Sequence, residues 1–487
     1  MNQSLGSLFL QCMGWLLVAA APGCGGESSD PLTAEPTASR ASALSAPPFD
    51  LTAIRDVSTA DCRFEGEHTV NKNGVLLRAY RVSYLSWEWR GREGTAEAGL
   101  RPIRIRGFAA RPLGSTRLPA VVQAHGLGGF ADENAAVSSA ARLGLWVLAY
   151  SGPGGGDRPE NTSEGKPASD GSGYRMFDTL GDVRGSWFWG HTTAALRGLT
   201  CLQGRSDVAA DKLGMTGFSA GAVATLIASG ADSRIKAAVP LSGVLAWDEA
   251  VRSPQAWQHA LLSQAGLSTT ANEWITLQRD LVAPTAALAG TSAALLLVNG
   301  SSDEFFPLNA HLATLAGLPT PSRVRSSLIA NFDHGCYKLT GGESANTIEA
   351  RATLHAEGGQ RAFFRHHLLA DPAYPSIPNP PTVLAGALGS ATYVTARVDR
   401  PAGLAIDEVR LWWSSDSAFL FASLPLSDKG GGLYDGLVPL PLSSATAYFV
   451  DVQYRTAGLF AQRFAVSSAP ILQSGFVPRI RAINTCL

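Results

Sequence analysis

The sequence predicts an α/β protein whose mostly parallel central sheet is covered by helices on both faces, followed by a small all-β, sandwich-like region. Three observations carry this. Short apolar runs alternate with helical stretches between residues 118 and 370. Most of those runs are apolar along their whole length, as strands buried on both faces are. From about residue 376 the helical pattern stops, and short alternating segments separated by turn residues take over.

Composition bounds the function. The chain has 487 residues, 45% hydrophobic and 16% charged. That is enough apolar material for sizeable cores in two or three domains. The 39 basic and 40 acidic residues leave a net charge of −1, without the basic excess of a nucleic-acid binder. After the first 25 residues no apolar run is long enough to span a bilayer. The six cysteines suit neither a disulfide scaffold nor a metal site.

The N-terminus reads as an address. Residues 5–21 are apolar but interrupted, with the length of a signal-peptide core rather than a membrane span, although no Lys or Arg precedes them. Ala21-Pro22-Gly23-Cys24 resembles the lipobox of bacterial lipoproteins. That resemblance implies lipid on Cys24, which would be the mature N-terminus. Pro22, and Ala21 in place of Leu, depart from the common pattern. The expected organisation is a signal peptide over 1–23, a Ser/Ala/Thr/Pro-rich tether over 24–48, a catalytic body over 49–375 and a β-rich region over 376–487. The protein is expected to be exported, either held on the outer membrane or cell surface by its lipid or secreted. Its only contact with a membrane would be that anchor. Cys62, Cys201, Cys336 and Cys486 then allow three pairings; joining Cys62 to Cys486 would tie the two ends of the folded part together.

The elements follow in order. Residues 68–112 alternate as strands. LPAVVQA (118–124) is a buried strand, ENAAVSSAARLG a helix and LWVLAY a strand. Residues 182–203 read as a helix. KLGMTGF is a strand, AVATLIASG a helix, and IKAAVPL, ALLLVNG (294–300) and RVRSSLIA (323–330) are strands. Residues 343–370 read as the last helix. The stretch 246–290, with Trp247, Trp257 and Trp274, interrupts the alternation, as a lid over a pocket or as a peripheral helical pair. In the β-rich region TYVTARV, EVRLWW, AFLFASL, AYFVDVQY and QRFAV are strands. That region is the candidate contact for glycan or protein.

Chemistry collects at four strand ends. Gly217-Phe218-Ser219-Ala220-Gly221 lies between a strand and a helix. A turn so tight needs small flanking residues, and it holds the Ser219 hydroxyl at a helix N-terminus. His125-Gly126-Leu127-Gly128-Gly129 follows an earlier strand, where the Leu127 N–H, paired with that of Ala220, can face a developing oxyanion. It lacks the Lys and Ser/Thr of a phosphate-binding loop. Asp303 follows ALLLVNG and can orient an imidazole, with Glu304 as the neighbouring alternative. His334 follows RVRSSLIA and can take the proton of Ser219. His191 and His311 read as helix residues rather than ligands, His366 and His367 close the last helix, and Trp187 and Trp189 read as core before pocket.

Residues 49–370 resemble the α/β-hydrolase superfamily. HGLGG, GFSAG, the Asp303 turn and DHG are similar to its oxyanion loop, elbow, acid and base, in the order Ser219, Asp303, His334. The SGPGGGDRP loop, the helix running into LRGLTCL and ADSRIKAAVPLSG are similar to acetyl xylan esterases, dienelactone hydrolases and prolyl-oligopeptidase-type catalytic domains. The resemblance implies acyl transfer at Ser219 with no cofactor, and a small-molecule or polymeric ester as substrate. Ala220, where the peptidases commonly carry a larger residue, and the absence of a propeller domain ahead of the body favour an esterase. A serine aminopeptidase or amidase is the alternative within the enzyme class. A catalytically idle, surface-tethered binding protein is the alternative outside it.

Overall fold

A computed structural model describes residues 48–91, 98–114, 116–170, 173–180, 182–318, 321–335, 343–439, 447–458 and 460–480. The signal segment, Cys24, the tether up to residue 47, Cys336 and Cys486 lie outside the described residues. No helix among the described residues is long and apolar enough to cross a membrane.

Three long strands open the body: β1 (Arg63–Lys72), β2 (Val75–Arg90) and β3 (Gly99–Pro112). Then come β4 (Leu118–Ala124), α1 (Glu133–Leu143), β5 (Trp146–Tyr150) and α2 (Trp187–Gln203). They are followed by β6 (Val208–Phe218), α3 (Ala220–Ala231), β7 (Ile235–Leu241), β8 (Ala294–Gly300), α4 (Leu308–Ala316) and β9 (Val324–Ile329). In the sheet these strands lie in the order β1-β2-β3-β5-β4-β6-β7-β8-β9. Pairing is antiparallel from β1 to β5 and parallel from β5 to β9. Every residue of β5 and β8 is buried, because helices cover both faces and each face has its own apolar core.

Local chemistry sets the helix ends. The Asp132 side chain accepts from Ala135 N, and Gly144 at φ 74 closes α1 in the left-handed conformation. The helix expected over 182–203 begins at Trp187, since Ser186 has extended backbone and its hydroxyl caps Phe188 N. The last helical run of the body, Ala345 to Leu369, includes two π-type turns. One of them ends at Gly358, where a Cβ would lie 2.4 Å from the Arg463 carbonyl oxygen. A later strand crosses there and leaves no room for a side chain.

That crossing reflects the main departure from the sequence reading. The β-rich region comprises β10 (Thr382–Leu388), β11 (Ala391–Arg397), β12 (Leu404–Ser414), β13 (Ala422–Pro425), β14 (Ser427–Asp428), β15 (Leu433–Val438), β16 (Ala447–Thr456) and β17 (Arg463–Ser467). Four of these strands form a separate antiparallel sheet, β10-β11-β15-β14. The others continue the central sheet as β9-β17-β16-β12-β13, making it 14-stranded with a short strand (Ile471–Leu472) beside β16. Side chains of the two sheets share one apolar core, and the longer sheet is that of the body. Phe363, Phe364 and Leu368 of the last helical run share one core with Val394, Leu411, Val452 and Phe464. A buried polar chain crosses the same join: Ser327 Oγ is 2.8 Å from His355 Nδ1, and His355 Nε2 is 3.5 Å from Asp451 Oδ2.

Two further ties hold the start of the body. Cys62 and Cys201 form a disulfide, which joins residues 139 apart and ties the approach to β1 to the end of α2. Of the pairings left open by sequence, this one excludes Cys62 with Cys486. Arg197, wholly buried, donates to the carbonyls of Ala53, Ile54, Asp56 and Leu85 and to Thr59 Oγ1. It sews the first helical turn of the body onto α2.

Ending the chain at residue 375 would strip β17 from β9 and remove the C-terminal part of a shared core. Open strand edges and exposed apolar surface aggregate. The truncated chain is expected in the insoluble fraction on expression; a soluble form with a cooperative thermal transition by circular dichroism would show that the two parts fold separately.

Candidate active site

The nucleophile position is set by backbone geometry. β6 ends at Phe218 and α3 begins at Ala220, with Ser219 between them at φ 57 and ψ −121. A non-glycine residue held there costs about 1–3 kcal/mol, which the surroundings must offset. A Cβ on Gly217 would lie 2.3 Å from the Gly221 carbonyl oxygen, and one on Gly221 would lie 2.4 Å from that of Ala124. Only glycines permit so close an approach. Ser219 precedes the helix but does not cap it with its side chain, so its hydroxyl can serve His334 Nε2, 2.8 Å away.

Parallel pairing of β8 and β9 delivers the other two residues to the same sheet edge. Ser301 N donates to the Ile329 carbonyl (2.9 Å) and Ser302 N to that of Phe332 (3.0 Å), which locks the two following turns together. Asp303 Oδ1 accepts from the N–H groups of Phe305 (2.9 Å) and Phe306 (2.8 Å). Its carboxylate is thereby aimed at His334 Nδ1, 3.1 Å from Oδ1 and 3.0 Å from Oδ2. The neighbouring carboxyl has a different job: Glu304 Oε2 accepts the backbone N–H of His334 at 3.1 Å. Of the two acids weighed from sequence, Asp303 meets the imidazole ring and Glu304 meets the main chain.

The site is nearly dry. Ser219 is 7% exposed, and Asp303, Glu304 and Asp333 are 2%, 1% and 2% exposed. Burial pushes the Glu304 carboxyl up to about 7, and the charges of Asp303 and Asp333 push in the same direction. Burial works against a charged His334, but the charge and hydrogen bond of Asp303, with Glu304 and Asp333 behind it, outweigh it and raise the imidazole above its ordinary value.

His125 shapes the glycine-rich loop after β4. Its Nε2 accepts from Gly152 N at 2.7 Å, so its Nδ1 carries the proton and donates to the Gly126 carbonyl at 2.6 Å. Burial pushes its pKa down to about 4, which keeps this tautomer neutral. Gly129 N also donates to Gly126 O, at 3.0 Å. With that carbonyl held, the trans peptide turns the Leu127 N–H the opposite way. A Cβ on Gly126 would stand 3.2 Å from that of Ser219. Ala220, the first residue of α3, has an N–H with no acceptor inside its helix.

The structure thus brings Ser219, Asp303 and His334 together and puts the loops of Leu127 and Ala220 beside Ser219. His191 and His311 are wholly buried helix residues, and Trp187 and Trp189 are buried as well. Among the described residues no group of three or more His, Cys, Asp or Glu side chains could hold a metal ion. Sequence reasoning missed the aromatic wall. The rings of Phe305, Phe218 and Phe306 lie 4.3, 5.1 and 5.5 Å from that of His334. The signal was available in the two phenylalanines directly after the acid. Trp257 of the 246–290 stretch meets Phe305 at 4.7 Å, and Gln258 Nε2 donates to the Phe305 carbonyl at 2.9 Å. The stretch therefore packs against the turn that carries Asp303, with Trp247, Trp257 and Trp274 buried.

The chain resembles the α/β-hydrolases. Among solved structures it is similar to an acetyl xylan esterase from Paenibacillus sp. R4, at 19% identity over 61% of this chain and 91% of that one, with a TM-score of 0.47. It is similar to acetyl xylan esterase 1 from Thermoanaerobacterium sp. JW/SL YS485 at 15% identity, over 63% and 95% of the two chains, with a TM-score of 0.45. An acylaminoacyl peptidase from Pyrococcus horikoshii matches at 13% identity over 63% of this chain and 56% of its own, with a TM-score of 0.40. No family model and no curated protein matches the chain.

The electrostatics can be read directly. His334 ring protons followed by NMR are expected to titrate above the ordinary histidine value of about 6.5. Asp303→Asn, which removes the charge favouring the imidazolium, is expected to bring the midpoint down; an unmoved midpoint would remove Asp303 as the cause.

Proposed function

We propose that the protein is an exported serine hydrolase that cleaves carboxylic esters. The observation that carries this is the continuous chain from Ser219 Oγ through His334 to Asp303, at 2.8 and 3.0 Å. His334 takes the Ser219 proton as the hydroxyl oxygen attacks the ester carbonyl. The N–H groups of Leu127 and Ala220 receive the oxyanion, and the first turn of α3 adds its favourable dipole. His334 then protonates the leaving alcohol. Water, deprotonated by the same imidazole, releases the acid from Ser219. Asp303 holds the ring orientation and offsets the charge that His334 carries midway. The aromatic wall excludes water from the imidazole, so these electrostatic effects are not screened.

Substrates of this reading are acyl esters of extracellular polysaccharide or other extracellular esters. The Cys62–Cys201 disulfide supports an oxidising compartment. Lipid on Cys24 would hold the enzyme at a membrane surface through the 24–48 tether.

A fluorophosphonate probe is expected to label the purified full-length protein but not Ser219→Ala, and hydrolysis of short p-nitrophenyl esters is expected to disappear with the label. A folded wild-type protein that takes no label would sink the enzyme reading. For the anchor, Cys24→Ser is expected to move the protein from the membrane fraction to the soluble exported fraction in a bacterial host, and an unchanged distribution would count against lipidation.

A further inference from the structure

The acid and base turns are not held by the catalytic body alone. Asn331, three residues before His334, sits at φ 56 and is 3% exposed. Its side chain clasps one residue of the C-terminal β region: Phe421 N donates to Asn331 Oδ1 at 2.8 Å, and Asn331 Nδ2 donates to the Phe421 carbonyl at 2.9 Å. The pair imitates one rung of a β-ladder across 90 residues of sequence. Nδ2 also donates to Glu343 Oε2 at 2.7 Å, and the Asn331 N–H donates to Ser301 Oγ at 2.9 Å, on the turn of Asp303. Ser302 Oγ reaches the Ala418 and Phe419 carbonyls, both at 3.5 Å.

The far side of this contact is rigid. Ser414 Oγ accepts from Ala418 N at 3.0 Å, and Asp416 Oδ1 from Leu420 N at 3.0 Å, which fixes the 414–421 turn on β12. Ala418, Phe421 and Trp412 pack with Leu328 and Ala330 in a core of their own. Arg351 lies 4.4 Å over the Trp412 ring and donates to the Ala330 carbonyl at 2.5 Å.

We infer that the C-terminal β region is a positioning device for the catalytic acid and base, and that Asn331 is the positioning residue through which it acts. The inference rests on the serine-hydrolase reading of Ser219, Asp303 and His334. Its physical content is that a misplacement of the base by a fraction of an ångström to one ångström costs up to roughly a hundredfold in rate. The β region thus serves the chemistry without touching substrate.

The test uses the full-length chain. Asn331→Gly keeps the left-handed backbone available and removes the clasp. Asn331→Asp keeps the acceptor for Phe421 N and loses both Nδ2 donations. For Asn331→Gly we expect kcat on a p-nitrophenyl ester to fall about tenfold or more with KM within about twofold, and for Asn331→Asp a loss at least as large, since its carboxylate would face Glu343 Oε2 and the Phe421 carbonyl. The acid limb of kcat/KM should move to lower pH, since a looser Asp303 no longer favours the imidazolium. The downfield resonance of the His334 Nδ1 proton should broaden or vanish. Should Asn331→Gly not fold, Asn331→Asp and Ser302→Ala are read in the same way. A folded variant with wild-type kcat, acid limb and resonance would overturn the inference. A wild-type protein that hydrolyses no ester would fail the serine-hydrolase reading alone, because the His334 resonance still reports on the clasp without substrate.

Discussion

The antiparallel join between β9 and β17 is the contact on which the rest of the molecule depends. A parallel sheet that ended at β9 would leave an open edge beside the turn that carries His334. β17 closes that edge at Ser326 and Ser467, and β16, β12 and β13 extend it further. Gly358 gives up its side chain to let β17 pass, and the last helical run shares its apolar face with both sheets. What reads in sequence as an appended domain is in part an extension of the central sheet and in part a separate four-stranded antiparallel sheet beside it.

The active site shows how a small region can concentrate opposing forces. Three carboxyls, Asp303, Glu304 and Asp333, surround one imidazole with almost no solvent. Burial, with the charges of Asp303 and Asp333 in the same direction, raises the Glu304 carboxyl to about 7. Asp303 gains two backbone N–H donors and the imidazole, which fix its carboxylate against the ring. Division of labour between adjacent acids follows from their hydrogen-bond partners rather than from their chemical type.

A large part of this was legible. G-x-S-x-G between a strand and a helix locates the strained serine because the close approach of β4, β6 and α3 tolerates only glycine at 217 and 221. The bounds of β4 and β8 coincide with apolar runs at 118–124 and 294–300, since strands buried on both faces are mostly apolar, with Gln123 and Asn299 the single amide in each. β10 and β15 were not legible. VLAGAL and LYDGLV carry glycine and little regular alternation, and their strand character comes from pairing with β11. Asn331 and the disulfide partner of Cys62 were equally invisible, because each acts through a residue distant in sequence.

The sequence by itself determined the chemistry: a serine, an acid and a histidine each following a buried strand, with glycines where the backbone must pass closely. These are local requirements, and local requirements leave local signatures. Only the tertiary structure decided which carboxyl faces the imidazole, which cysteine Cys62 joins, and which of the C-terminal strands belong to the central sheet. Those outcomes depend on pairing between separate segments, where strand edges, buried polar groups and core volume are matched across 31 residues for Asp303 and His334 and 139 for Cys62 and Cys201, and no short stretch of sequence encodes its partner.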